Sequence, residues 1–455
     1  MRKRNPTDGL RLSVRPSRQA IGRIGGGVHL LVQAVPPAPP VRPDRRPVAM
    51  ALVIDRSGSM GSPAVAGAGA AGKSPLKASG DTGVADKLSF VKAATVRLLD
   101  LMQDGDAVAL VTFDDTVSVV KPLTVLDARA RHGLAAAISN VKVGGSTFLE
   151  GGFRAGLEQL HAEARQRYGC KLVLLSDGEA NVGEQRPAVL AEVAAGAAHS
   201  GITTSTLGVG FDYNIALMST VAEAGNGDFS HIPALEALDQ ILREEFTTAA
   251  EVTARNVEVC LDLPERLAFG TNLNGYRQES TETGFKVFIG DLVRTKEFLF
   301  EITTPVPIEG EEVVIRAHAS YRDMDDSPHE AAAQVMMRTC SADEALEDPV
   351  DEEVISKLLV QLPAQAEMAT VLAYEAGDFN TASAALQASR AAMAAMRRQY
   401  GGAASSRSEM ANWQSRLDSL TMRSEAHDLS APELKGMFAA SYGMSRSRPK
   451  RGPMM

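Results

Sequence analysis

Asp55, Ser57 and Ser59 form an alternating run, Asp-Arg-Ser-Gly-Ser, at the end of the apolar stretch 48–54. A buried strand that closes on a carboxylate and two alternately spaced hydroxyls offers three hard oxygen donors to one small cation at the rim of a sheet. A second apolar stretch, 171–175, ends in Ser176-Asp177-Gly178 and delivers another carboxylate in the same way. Between them, Gly144-Gly145-Ser146-Thr147 is a glycine-rich turn that presents a hydroxyl just ahead of an expected helix. Together these residues describe a metal site without cysteine or histidine. The plain alternative is that Asp55 and Asp177 cap helices while Ser57 and Ser59 shape a turn. Either loop alone is open to that reading; all three in order argue against it.

The three segments, in this order, resemble the metal-ion-dependent adhesion site of von Willebrand factor type A domains. Each ligand position of that pattern has its match here: Asp55, Ser57, Ser59, Thr147 and Asp177. The resemblance implies a bound magnesium ion, with manganese or calcium as substitutes. It also implies an open coordination position that an Asp or Glu of a protein partner completes, with no reaction following. Magnesium prefers oxygen donors in near-octahedral geometry and gives up its waters reluctantly, so hydroxyls and water-bridged carboxylates suit it. The expected function is therefore a magnesium-dependent protein-interaction module, an adaptor or scaffold and not an enzyme. The alternative, from a different class, is a nucleotide-binding enzyme or a subunit of an AAA-type ATPase or chelatase machine, with an AAA-type ATPase as partner.

Residues 67–74 read Gly-Ala-Gly-Ala-Ala-Gly-Lys-Ser, a literal match to the phosphate-binding loop of nucleotide triphosphatases. A working loop of that kind leaves a buried strand and runs straight into a helix, whose amino terminus helps hold the phosphates. Here residues 61–66 are too small and too few for a central strand, Pro75 follows at once, and Gly80 and Gly83 interrupt any helix. The stretch 61–85 is expected to be a flexible insertion at the rim of the metal site. Other enzyme signatures are absent: no His-Glu-x-x-His helix occurs, and no Gly-x-Ser-x-Gly elbow surrounds Ser57 or Ser59. A phosphatase of the haloacid-dehalogenase type would want an acid two residues after Asp55, where Ser57 stands. His132, His161, His199 and His231 are scattered and are expected at surface or capping positions.

With 455 residues, 44% of them hydrophobic, the chain has room for two or three globular domains. A net charge of −9 argues against nucleic acid as the partner, since phosphate contacts need clustered Lys and Arg. The basic ends, Arg2-Lys3-Arg4 and residues 446–451, read as solvated tails. No apolar run is long enough for a transmembrane helix and no secretion signal is evident, so no membrane partner is expected. Cys170, Cys260 and Cys340 are odd in number and far apart, which fits a cytoplasmic location.

The elements that must position the site follow from periodicity. Residues 47–250 alternate apolar strands with amphipathic helices, the pattern of a doubly wound parallel α/β sheet, and the length and order match a complete type A domain. Beyond it the period falls to two: Val257, Val259 and Leu261, then Phe285, Val287 and Ile289, then Phe298, Phe300 and Ile302, then Val313, Ile315 and Ala317. Residues 251–340 therefore read as an antiparallel β-sandwich, and residues 1–46, with Leu10, Leu12 and Val14 alternating and 28–32 apolar, as further strands of it. The type A domain would be inserted into that sandwich, similar to bacterial intracellular members of the family. An acidic stretch at 341–353 introduces an alanine-rich helical tail, 341–440, expected to be separable, with Met393 and Met396 as core filler. Residues 441–455 are expected to be a disordered basic end.

Overall fold

A computed structural model describes residues 9–22, 28–38, 45–63, 86–233, 237–265, 267–303, 310–401 and 406–446. The phosphate-loop look-alike at 67–74 and most of the expected insertion fall outside these residues; Gly61 belongs to the short 3-10 turn Gly58–Gly61, which buries Met60. The chain divides into two compact units, one made of 1–38 and 253–453, the other of 39–252.

The first unit opens with strands β1 (Arg11–Pro16), β2 (Ala20–Gly22) and β3 (Val28–Val35). The second holds β4 (Val48–Asp55), β5 (Ala107–Phe113), β6 (Val117–Val125), β7 (Gly169–Ser176), β8 (Ile202–Val209) and β9 (Asn226–Ile232). Among the described residues the helices of this unit are α1 (Lys87–Leu101), α2 (Ala128–Ser139), α3 (Leu149–Gln159), α4 (Ala162–Arg167), α5 (Pro187–His199), α6 (Ile215–Ala224) and, after the last strand, α7 (Leu238–Ala250). The sheet order is β6-β5-β4-β7-β8-β9, parallel except for the antiparallel edge pair β5–β6. From β4 the chain builds outward to β5 on one side and later returns to β7 on the other. The carboxyl ends of β4 and β7 thus flank the point where strand order reverses, the crevice where open α/β sheets bind ligands.

Every residue of β4 and β5 is buried, which explains why these strands read as unbroken apolar runs: helices cover both faces. Helix α3 lies close against the sheet because Gly152 and Gly156 lack side chains. A Cβ on Gly152 would come 2.4 Å from Phe113, and one on Gly156 2.3 Å from Val53. That approach holds Thr147, two residues ahead of the helix, at the rim of the sheet.

In the first unit the chain continues through β10 (Ala254–Asp262), β11 (Ala268–Asn272), β12 (Gln278–Ser280), β13 (Gly284–Leu292), β14 (Lys296–Thr303), β15 (Glu312–Arg322) and β16 (Pro328–Cys340). Two sheets form, β1-β3-β14-β11 and β12-β13-β10-β15-β16-β2. Strand β3 pairs with β14 and β2 with β16, so both sheets draw on chain from either side of the α/β unit. Leu30, Val32, Phe298 and Phe300 of one sheet share a core with Val259, Val287, Ile315 and Ala317 of the other.

Helices α8 (Ala342–Glu347), α9 (Glu352–Glu375), α10 (Phe379–Tyr400), α11 (Ser406–Glu425) and α12 (Ala431–Ser445) follow. They belong to the same compact unit as the two sheets. Gln361 on α9 donates to the Leu273 carbonyl, and Asn274 donates to the Ser445 carbonyl on α12 at 2.9 Å, both buried. Arg15 on β1 pairs with Asp351 at 2.6 Å. The acidic stretch is therefore a change of secondary structure and carries helix caps: Asp351 accepts from the amides of Glu353 and Val354. The expected disordered end also begins too early, because Ser441, Tyr442 and Ser445 are buried on α12; residues 447–455 lie outside the described residues. Met393 and Met396 are buried on α10. No helix among the described residues is long and apolar enough to cross a membrane.

Candidate metal centre

The fold gathers all five residues singled out from the sequence at the carboxyl edge of the α/β sheet. Asp55 ends β4 and is fully buried; its Oδ1 accepts the Ser57 amide at 2.8 Å and its Oδ2 the Ser176 hydroxyl at 2.6 Å. Ser57 and Ser59 bring their hydroxyls to 3.1 Å of one another, and Ser59 donates to Asp177 Oδ1 at 2.6 Å. Thr147 is joined to the Asp177 loop by three bonds, its amide to Asn181 Oδ1 at 2.8 Å and the amides of Asn181 and Val182 to its carbonyl at 3.2 and 3.3 Å. Its hydroxyl faces the same spot as that of Ser59: a Cβ on Gly178 would lie 3.3 Å from Ser59 Oγ and 3.6 Å from Thr147 Oγ1.

The glycine-rich turn owes its composition to crowding. A Cβ on Gly144 would sit 1.9 Å from Asp114 Oδ2, and one on Gly145 2.8 Å from Asp115 Oδ1. The turn is locked to the Asp55 loop by Gly58 N to Gly145 O at 2.8 Å and Gly144 N to Arg56 O at 2.6 Å. Arg56 in turn pairs with Asp114 at 2.7 Å. Burial works against the Asp114 charge, but bonds from Thr116 and the Arg56 guanidinium hold its carboxyl below the usual range.

Asp55 is the opposite case. Burial pushes its carboxyl up to about 6, and the nearby Asp177 charge adds to the shift. Two fully buried carboxylates thus converge where, among the described residues, the Lys87 ammonium is the cation paired with them, 2.7 Å from Asp177 Oδ2. A hard divalent ion fits this set: two carboxylates short of positive charge, surrounded by the oxygens of Ser57, Ser59 and Thr147. Among the described residues no cluster of three His, Cys, Asp or Glu forms, at this edge or elsewhere; the donors gathered here are two carboxylates and three hydroxyls.

Sequence reasoning missed Lys87, Asp114 and Asn181. Asn181, four residues after Asp177, and Asp114, just past the end of β5, had a positional signal; Lys87 stands far from the Asp55 motif in sequence. His231 is not at the surface: it is buried and bonded to Tyr213 at 2.8 Å, whereas His161 does cap α4 and His132 and His199 are exposed.

Comparison with known proteins agrees with this geometry. The sequence profile of the von Willebrand factor type A domain matches residues 50–244. The chain is similar to "Uncharacterized protein YfbK" of Escherichia coli, 29% identical over 182 residues that make up 39% of this chain and 31% of that protein. It is also similar to "Uncharacterized protein sll0103" of Synechocystis, 22% identical over 360 residues, 76% of this chain and 78% of that one. The chain thus spans 31% of the length of the first relative, and most of the second. Among solved structures, a von Willebrand factor type A protein from Catenulispora acidiphila aligns with a TM-score of 0.68 at 16% identity, over 96% of this chain and 98% of that one. The ArnB paralog VWA2 from Sulfolobus acidocaldarius aligns with a TM-score of 0.56 at 17% identity, again over 96% and 98%. By this fold and this profile match, residues 50–244 form a von Willebrand factor type A domain.

Proposed function

We propose that this protein is a magnesium-dependent interaction module, an adaptor or scaffold that captures an acidic side chain of a protein partner. The observation that carries the reading is the convergence of Asp55, Ser57, Ser59, Thr147 and Asp177, from three separate loops, on one point of the sheet edge. These residues would hold the ion, and the bound cation supplies a Lewis-acidic position for a carboxylate oxygen. The chain's own groups are already committed to one another: Ser59 and Ser176 donate to the two carboxylates and Ser57 lies within hydrogen-bond distance of Ser59. A hydroxyl that donates its proton to a carboxylate keeps its lone pairs for a cation, which supports ion binding at Ser59. The wide spacing of Cys170, Cys260 and Cys340 supports the cytoplasm as the place of action.

The test is calorimetric titration with magnesium chloride, followed by binding to an array of Asp- and Glu-containing peptides with and without EDTA. Magnesium uptake and peptide capture should both be lost in Asp55→Ala. Peptide capture that survives EDTA and Asp55→Ala alike would overturn the reading.

A further inference from the structure

We infer that Lys87 sets how strongly the site grips a divalent ion, keeping that grip weak until a partner carboxylate arrives. The inference rests on the metal-site reading above and adds to it a residue outside the five ligand positions. The Lys87 ammonium sits 2.7 Å from Asp177 Oδ2, while Ser59 takes the other oxygen of the same carboxylate. Its side chain is only 13% exposed and that of Asp177 is wholly buried. The contact is built in, because Lys87 is the first residue of α1, Asp86 caps that helix through the Ser89 amide at 2.7 Å, and the Lys87 amide bonds to the Ser62 carbonyl at 3.2 Å. On the outer side the loop after β8 closes over the ammonium. A Cβ on Gly210 would lie 3.3 Å from Nζ, and the exposed Asp212 carboxylate is 4.0 Å away.

Charge then decides the consequence. Asp55 and Asp177 bring two negative charges and Lys87 one positive, while Asp212 is 77% exposed and screened by water, so the buried set faces an incoming divalent ion with a net single negative charge; Arg56 and Asp114 neutralise each other. Like charges repel strongly at such separations in a half-buried site. An occupied site carries a net positive charge, which one carboxylate from a partner cancels. Lys87 therefore works against the bare ion and in favour of the ion together with a carboxylate.

The experiment compares wild type with Lys87→Gln, Lys87→Met and Lys87→Arg. Glutamine retains a donor toward Asp177 without the charge, which separates orientation from electrostatics. Calorimetric titration with magnesium and manganese chloride, with the melting temperature recorded alongside, should show Lys87→Gln and Lys87→Met binding the bare ion about tenfold more tightly. Lys87→Arg should stay close to wild type. At saturating magnesium, the Gln and Met variants should hold an acidic peptide more weakly than wild type does. Neutral variants that bind the ion no more tightly than wild type, or less tightly, would overturn this inference alone. A wild-type chain that takes up no divalent ion, or an Asp55→Ala variant that binds it as well as wild type, would overturn the underlying metal-site reading instead.

Discussion

Ser176 donates its hydroxyl to Asp55 Oδ2 at 2.6 Å, tying together the ends of two adjacent parallel strands through the carboxylate that both loops surround. This bond and the Ser57 amide do not offset the cost of burying Asp55, whose carboxyl stays raised from 3.8 to about 6. The folded chain therefore binds this proton more tightly than the unfolded chain does. In EDTA, the stability linked to Asp55 is fully present below 3.8 and lost as the pH rises through about 6. The loss amounts to about 3 kcal/mol at most. Asp55→Asn, neutral and of the same shape, should melt at least as high as wild type in EDTA at neutral pH, yet gain nothing from magnesium. Melting curves across pH, with EDTA and with magnesium, read both effects. An Asn variant less stable than wild type in EDTA would contradict the argument.

Lys171 on β7 and Glu245 on α7 meet at 2.6 Å with side chains only 4% and 6% exposed. Removing one partner strands a charge in the core, so Glu245→Met or Lys171→Met alone should lower stability by about 3–5 kcal/mol. The double variant Lys171→Met with Glu245→Met should recover most of that loss, because apolar side chains of similar volume need no partner. Chemical denaturation of the two single variants and the double variant gives the coupling directly.

These cases show which features a sequence makes legible. The central strands β4, β5 and β7 could be read because burial on both faces demands largely apolar residues. Edge strand β6, with Pro122 and alternating exposure, carries no such demand and went unread. Strand β16 also escaped notice. Its alanines and polar residues have weak strand preference, and an eleven-residue register with β15, from Glu312↔Arg338 to Arg322↔Pro328, holds it in place. At the site, the candidate ligand residues were legible because each sits beside a strand end or a helix start. Lys87 acts through space on Asp177, and no local pattern marks it; Asp114, which crowds the 144–145 turn, is marked only by its place at the end of β5. The helices of 342–445 looked separable because composition records an acidic cap, while the side chains that join them to the sheets are single polar residues such as Asn274 and Gln361.

That difference makes a truncation informative. Ending the chain after Cys340 would strip Asn274 of the Ser445 carbonyl and Gln361, and would uncover Leu273 and other residues now buried beside the helices. The shortened chain should aggregate or lose its cooperative melt, as exposed apolar surface and unpartnered buried amides predict. Size-exclusion chromatography and calorimetry of the 1–340 chain test this; a soluble, cooperatively melting product would restore the separable tail.

His29 on β3 provides an acid-linked counterpart to Asp55. It is buried next to Tyr400, whose hydroxyl lies 3.4 Å from Nδ1, and burial lowers its pKa from 6.5 to about 4. The folded chain binds this proton less tightly than the unfolded chain. Its contribution to stability is present above 6.5 and is lost as the pH falls through about 4. The full loss is about 3 kcal/mol. His29→Gln should flatten the acid limb of the stability curve, measured by denaturant unfolding between pH 4 and pH 7, whereas an unchanged acid limb would place the sensitivity elsewhere.

The stretch between Pro63 and Asp86 leaves the sheet edge and returns to the same place. Pro63 and Asp86 form an isolated antiparallel bridge, and the Lys87 amide bonds to the Ser62 carbonyl at 3.2 Å. The chain on either side of it is thus joined by its own backbone, and Asp86 caps α1 through the Ser89 amide. Replacing 64–85 by a short Gly-Ser linker should leave the fold intact and, by lowering the entropy of loop closure, change stability by only about 1 kcal/mol. The melting temperature should move by no more than a few degrees, and magnesium should still raise it. The same variant separates the metal reading from the phosphate-loop look-alike at 67–74. If the full chain binds labelled ATP and Lys73→Ala or the linker variant abolishes it, the glycine-rich stretch is a nucleotide site and the adaptor reading falls. If magnesium uptake through Asp55 persists in the linker variant with no nucleotide bound by either chain, the stretch is dispensable to the chemistry of the sheet edge.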